Sequence, residues 1–138
     1  MAEKGIDGLN IDIELVNSDF SDSFIEFIRE LSVYCRRAGK YLTVDNYTPY
    51  AYNASCFHVK EQAKICDYVV IMGYDDYVGS GEVGPNASLP FLEESIALSE
   101  ELIPEEKLIY GIPFYTRIWK TEGGNVTSEA VGMGAAVN

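Results

Sequence analysis

The chain has 138 residues, 47% of them hydrophobic, with 22 Asp plus Glu against 10 Lys plus Arg and a formal net charge of -12. This length and composition suit one globular domain or part of one. The acidic balance, with no basic cluster beyond Arg36-Arg37, makes nucleic acid and anionic membranes poor partners, and no apolar run is long enough to span a bilayer.

Residues 7–14 read Asp-Gly-Leu-Asn-Ile-Asp-Ile-Glu, the first predicted strand, over 8–14. Side chains two apart on a strand share a face, so Asn10, Asp12 and Glu14 point one way while Leu9, Ile11 and Ile13 point the other. By itself this alternation fits two arrangements. One is an inner acidic row put to chemical use, because buried charge is costly unless it is paired or employed. The other is a half-exposed edge strand with a solvated acidic face.

A helix follows from about Asp22 to Arg37, with Phe24, Ile25, Phe27, Ile28, Leu31 and Tyr34 at helical spacing, Ser21 or Asp22 as its cap and Gly39 as its stop. Further strands are predicted over 41–47, 67–74 and 107–114. Between them lie a short helix from His58 to Ile65 and another near Pro90 to Leu102, with Pro90 in its first turn and Pro104 past its end. Strands alternating with helices imply an α/β fold, a parallel sheet with helices outside. The acidic pairs Glu93-Glu94, Glu100-Glu101 and Glu105-Glu106 read as solvated helix faces and a turn. The last residues, Thr121 to Asn138, are rich in Gly, Ala and small polar residues, with no obvious sheet to join, and predict disorder or an irregular conformation.

Cys35, Cys56 and Cys66 have no metal-binding spacing and read as small buried hydrophobes, with a Cys56–Cys66 disulfide as the alternative. His58 is the only histidine, has no ligand set around it, and fits a surface or helix-start position. No metal site is expected. Asn53, Asn86 and Asn125 each open a glycosylation sequon, a pattern short enough to arise by chance.

Three segments carry a family resemblance. The octapeptide resembles Asp-Gly-x-Asp-x-Asp-x-Glu, the signature of glycoside hydrolase family 18, the chitinase-like β/α barrels, with Asn10 in place of the first inner Asp. Residues 69–75, Val-Val-Ile-Met-Gly-Tyr-Asp, are similar to the sixth barrel strand and its Met-x-Tyr-Asp ending. Residues 109–117, Ile-Tyr-Gly-Ile-Pro-Phe-Tyr-Thr-Arg, are similar to the seventh. Asn10 and the run Gly-Pro-Asn-Ala-Ser-Leu-Pro-Phe at 84–91 resemble the spore-germination and cortex-lytic branch, which acts on peptidoglycan. The implied fold is a partial TIM (β/α)8 barrel over residues 1–119, strands four to seven with their helices, followed by the tail at 120–138. A whole barrel takes about 250 residues, and Met1–Lys4 leave no room for three earlier strands, so the chain reads as the middle of a larger barrel.

The resemblance also implies roles. Glu14 is the general acid and then the base; Asp12 orients and charge-stabilises the substrate's acetamido group, whose own oxygen attacks in this family. Tyr74 adds a hydroxyl at the same centre, Asp75 contacts sugar and Met72 packs beneath the subsite. Asn10 is expected to hydrogen-bond Asp12 and hold it in one charge state, or else to be a neutral spacer. Tyr115 and Arg117 are candidate sugar contacts, with ordinary packing and surface pairing as the alternative; Asp76 reads as a solvated loop residue and Trp119 as a possible stacking platform. The implied activity is hydrolysis of an N-acetylglucosamine-containing glycan, with peptidoglycan of the spore cortex favoured over chitin and no cofactor. A chitinase and a non-catalytic glycan-binding lectin are the alternatives, and Glu14 argues against the second. The partner is a carbohydrate polymer, and an extracellular, cell-wall or spore location follows from the resemblance alone. The isolated chain is expected to have little activity and to self-associate through open sheet edges.

Overall fold

The computed structural model describes residues 5–51, 54–79 and 81–137; Met1–Lys4 and the sequon at Asn53 lie outside them. Four parallel strands form the main sheet in sequence order: β1 (Gly8–Ile11), β2 (Tyr41–Asn46), β3 (Tyr68–Met72) and β4 (Leu108–Gly111). Each crossover carries a helix: α1 (Ser21–Arg37), α2 (Val59–Ile65) and α3 (Leu89–Glu100). Parallel neighbours need such crossovers, which cover one sheet face with helices. The observed order is that of four consecutive units of a β/α barrel.

The register brings Ile11 beside Val44, Val44 beside Val69 and Val69 beside Leu108, so an apolar row runs across the sheet under the helices. Leu42, Val44, Val69 and Ile71 are buried there with Phe24, Ile28 and Cys35 of α1. Asn46 shares this face and is tied by Nδ2 to Gln62 Oε1 at 2.7 Å, while Gln62 Nε2 donates to Phe57 O at 2.6 Å. Gly8 permits the close pairing of β1 with β2, because a Cβ there would stand 2.6 Å from the Tyr41 carbonyl oxygen.

Three expectations change. Helix α1 starts at Ser21 without a side-chain cap; a 3-10 turn at Ser18–Phe20, capped by Asn17, leads into it, and Ser21 Oγ instead donates to Cys56 O at 2.7 Å. Its buried face is Phe24, Ile25, Ile28, Ser32 and Cys35, whereas Phe27 and Tyr34 are 44% and 61% exposed. The tail is ordered rather than disordered: β5 (Tyr115–Glu122) and β6 (Asn125–Gly132) pair antiparallel, and a short helix α4 (Met133–Ala136) follows. The reason is the two-residue turn Gly123-Gly124, both at positive φ (57° and 84°), the geometry that matches the twist of a hairpin.

Other readings match. His58, at φ 51°, sits immediately before α2, with Nε2 2.8 Å from Ser21 Oγ. The three cysteines are free, and Cys35 and Cys66 are buried as expected, whereas Cys56 is only half-buried; burial pushes the Cys66 thiol up to about 12. No helix among the described residues is long and apolar enough to cross a membrane.

Burial separates two neighbouring positions on α1. Ile28→Ala, at a fully buried site, is expected to lower stability by about 2–5 kcal/mol. Phe27→Ala should cost clearly less in the same urea titration, and equal losses would show that the buried face is misassigned.

Candidate active site

The polar groups gather beyond the C-terminal ends of β1, β2 and β3, the end at which β/α barrels carry their chemistry. β1 leaves the ladder after Ile11, so Asp12 and Glu14 stand past the sheet rather than within a longer strand. Asn10 pairs in register with Thr43, and its Nδ2 donates to Thr43 Oγ1 and Asp45 Oδ1, both at 2.8 Å. An amide nitrogen has two hydrogens. Both go to β2, so the expected hydrogen bond from Asn10 to Asp12 is replaced by a clamp on the neighbouring strand. Tyr47, the residue after β2, donates its hydroxyl to Glu14 Oε2 at 3.1 Å.

The exit of β3 is built as tightly. A Cβ on Gly73 would meet the Tyr110 ring at 1.9 Å and the Gly111 carbonyl oxygen at 2.8 Å, so only glycine lets β3 pass β4 here. Asp75 then takes a left-handed backbone (φ 63°), a conformation that costs free energy for a residue other than glycine and persists where the surroundings hold it. Buried Asn86 provides that hold: its Oδ1 accepts from Asp75 N at 3.3 Å and its Nδ2 donates to Tyr115 O at 3.2 Å. Tyr115 returns a hydroxyl to Asp75 Oδ1 at 2.8 Å, and Arg117 Nε lies 3.6 Å from the same oxygen. The Tyr74 and Tyr115 rings meet edge to face with centroids 5.9 Å apart.

Glu14, Tyr47, Met72, Tyr74, Asp75 and Arg117 line a cleft of about 560 Å³. Asn10, Asp12 and Tyr115 are not in its wall, although Asn10 and Tyr115 bond residues beside it or within it. Asp76 is a structural residue rather than a solvated one, since its Oδ2 accepts from Ser88 N at 3.2 Å and Ser88 Oγ at 2.6 Å at the start of α3. Trp119 is anchored by Nε1 to Gly84 O at 3.1 Å.

Negative charge governs the electrostatics. Burial, followed by the charges of Asp12, Asp45, Glu14 and Asp75, holds the Tyr74 phenol above its ordinary range. Burial and the hydrogen bond to Glu14 push Tyr47 up to about 12, and burial with the bond to Asp75 does the same for Tyr115. The tyrosines are therefore neutral hydroxyl donors set among carboxylates. Such a site can deliver a proton to an oxygen and stabilise a developing positive charge.

Sequence reasoning missed Thr43, Asp45 and Tyr47. Their signal was present, because they alternate with Leu42, Val44 and Asn46 at the same period of two that singled out Asn10, Asp12 and Glu14. Asn86 was read only as a sequon. Its buried, doubly bonded side chain makes it a clamp.

A parallel β/α sheet with carboxylates and tyrosines at its C-terminal end is the arrangement of part of a β/α barrel with a polar cleft at that end. Residues 1–136 match the glycosyl hydrolases family 18, and the chain belongs to that family. It is 27% identical over 122 residues to YdhD of Bacillus subtilis (strain 168), whose name assigns it provisionally as a sporulation-specific glycosylase; the match covers 86% of this chain and 29% of that protein. The crystal structure of YdhD superposes with a TM-score of 0.87 at 25% identity, over 99% of this chain and 46% of the other. The spore cortex-lytic enzyme SleL of Bacillus cereus gives 0.82 at 25% identity, over 99% and 33%. The chain thus spans less than half the length of these relatives.

The raised phenols set an alkaline limit. A tyrosine that ionises near 12 when folded and near 10 when unfolded contributes stability that is complete below pH 10 and lost as pH rises through 12. Spectrophotometric titration should find Tyr47 and Tyr115 among the last phenols to ionise. Asp75→Asn should bring Tyr115 down, because it removes both the accepting charge and its repulsion; an unmoved Tyr115 would refute the pairing.

Proposed function

We propose that the chain carries the acid of a glycosidase that cleaves N-acetylglucosamine-containing glycan, with peptidoglycan of the spore cortex the favoured substrate. The observation that carries this reading is the Glu14 carboxylate in the cleft wall, receiving the Tyr47 hydroxyl at 3.1 Å in the same cleft as Tyr74. Glu14 protonates the leaving oxygen. The substrate's acetamido oxygen attacks the anomeric carbon, Asp12 orients that group through its charge, and the Tyr74 hydroxyl donates to it. Water then opens the adduct with Glu14 as base, so configuration is retained. Met72 floors the subsite, while Asp75, steadied by Tyr115 and Arg117, faces the sugar. Similarity to a spore cortex-lytic enzyme supports the substrate class.

Glu14→Gln, placed in a polypeptide that completes the barrel, should lower kcat by about 10²–10⁴-fold. Full activity in that variant would remove Glu14 as the acid. Assays on cortex fragments and on chitin oligosaccharides decide the substrate: faster turnover of chitin would make the protein a chitinase, and binding without turnover by the unaltered protein would favour a lectin.

In the same reading the chain by itself associates with further copies. The sheet ends in two open edges, β1 and β4, and exposes Leu15 at 90% and Phe114 at 87% just beyond them. Sedimentation of the 138-residue chain should show association that grows with concentration; a compact monomer at all concentrations would count against it.

A further inference from the structure

We propose that Asp45 is a positioning residue of the site: by accepting from the Asn10 amide it holds that side chain on β2, away from Asp12. The inference rests on the assignment of Glu14 and Asp12 above. The Asn10 side chain is committed to β2 itself, and Asp45 and Thr43 together use both hydrogens of its Nδ2 at 2.8 Å. Thr43 offers a neutral hydroxyl, whereas Asp45 offers a carboxylate, and the bond to a charged acceptor is the stronger of the two. The side chain at 45 therefore decides where Asn10 points.

Asp45 has the surroundings to make that decision depend on pH. It is half-buried on the inner row of β2 between Thr43 and Tyr47; Asp12 and Glu14 face it from beyond β1 and Tyr74 from beyond β3. Burial raises its carboxyl above the ordinary range, the Asn10 bond acts against that, and the charges of Asp12 and Glu14 add to the rise. As pH falls, Asp45 takes up a proton, its bond to the amide loses the assistance of charge, and Asn10 becomes free to turn and donate to Asp12. Asp12 then acquires a partner that competes with the substrate's acetamido group.

Two substitutions separate the charge from the clamp. Asp45→Asn keeps an oxygen acceptor but no charge, the state of the protonated carboxyl at every pH, and should lower the rate at neutral pH toward its acid-side value and remove this step from the acid limb of the pH and rate profile of the completed barrel. Asp45→Ala removes the acceptor, and should lower kcat/KM about tenfold or more across the pH range, the loss expected for one hydrogen bond to a charged group. Both variants keeping the original profile would overturn the proposal. A second readout needs no hydrolysis. In the 138-residue chain, the side-chain amide resonances of Asn10 should follow a titration above the ordinary Asp range, and that titration should vanish in Asp45→Asn. Asn10 signals with the same pH dependence in both proteins would refute the clamp. If the amide titration is found and no substrate is cleaved, Asp45 still positions Asn10 and the glycosidase reading is what fails.

Discussion

The structure depends on one lateral alignment, the parallel register that sets Ile11, Val44, Val69 and Leu108 side by side under the helices. Side chains alternate across a strand, so alignment of the apolar row on one face forces alignment of a polar row on the other. Asn10 then stands opposite Thr43, and Asp45 comes within reach of its amide. A slip of one residue between β1 and β2 would send Asn10 into the helices and Ile11 into the cleft. Burial of Ile28, Val44, Val69 and Ile71 against that alternative makes the register strongly specified.

That alignment produces a site whose carboxylates outnumber its cations. Arg117 is the cation beside Asp75, while Asp12, Glu14 and Asp45 crowd around Tyr74. Neutral donors hold two of these carboxylates, the Asn10 amide for Asp45 and the Tyr47 hydroxyl for Glu14, while Asp75 has both the Tyr115 hydroxyl and the Arg117 guanidinium. A neutral donor fixes a carboxylate in place without cancelling its charge. The negative potential therefore stays available to a cationic centre in the cleft.

The loop after β3 shows how a strained residue is held. Asp75 has a left-handed backbone, and Asn86 grips its N–H while bonding the carbonyl of Tyr115. One buried amide thus joins three segments, the end of β3, the approach to α3 and the start of β5. Its partners are two backbone groups separated from it by 11 and 29 residues. The hairpin β5–β6 is fastened to the same loop through Trp119 and Gly84, so the tail belongs to the architecture of the site.

Much of this was legible in the residues. The alternation at 7–14 and the strand and helix order follow from local periodicity and determined a parallel β/α sheet, and the resemblance of the Met-x-Tyr-Asp and Gly-x-Pro-Phe-Tyr-x-Arg endings to a known family implied Glu14 and Tyr74 at one end of it. Gly123-Gly124 was legible too, as a two-residue hairpin turn, although its composition reads equally as a flexible tail. Partner choice was not legible. Asn10 lies two residues from Asp12 along the chain and 35 from Asp45, yet it bonds Asp45, because the side chain of an edge strand turns to the strand it pairs with. Sequence determines which faces are polar; which polar groups meet on a face depends on the register between strands, and register is a property of the packed sheet.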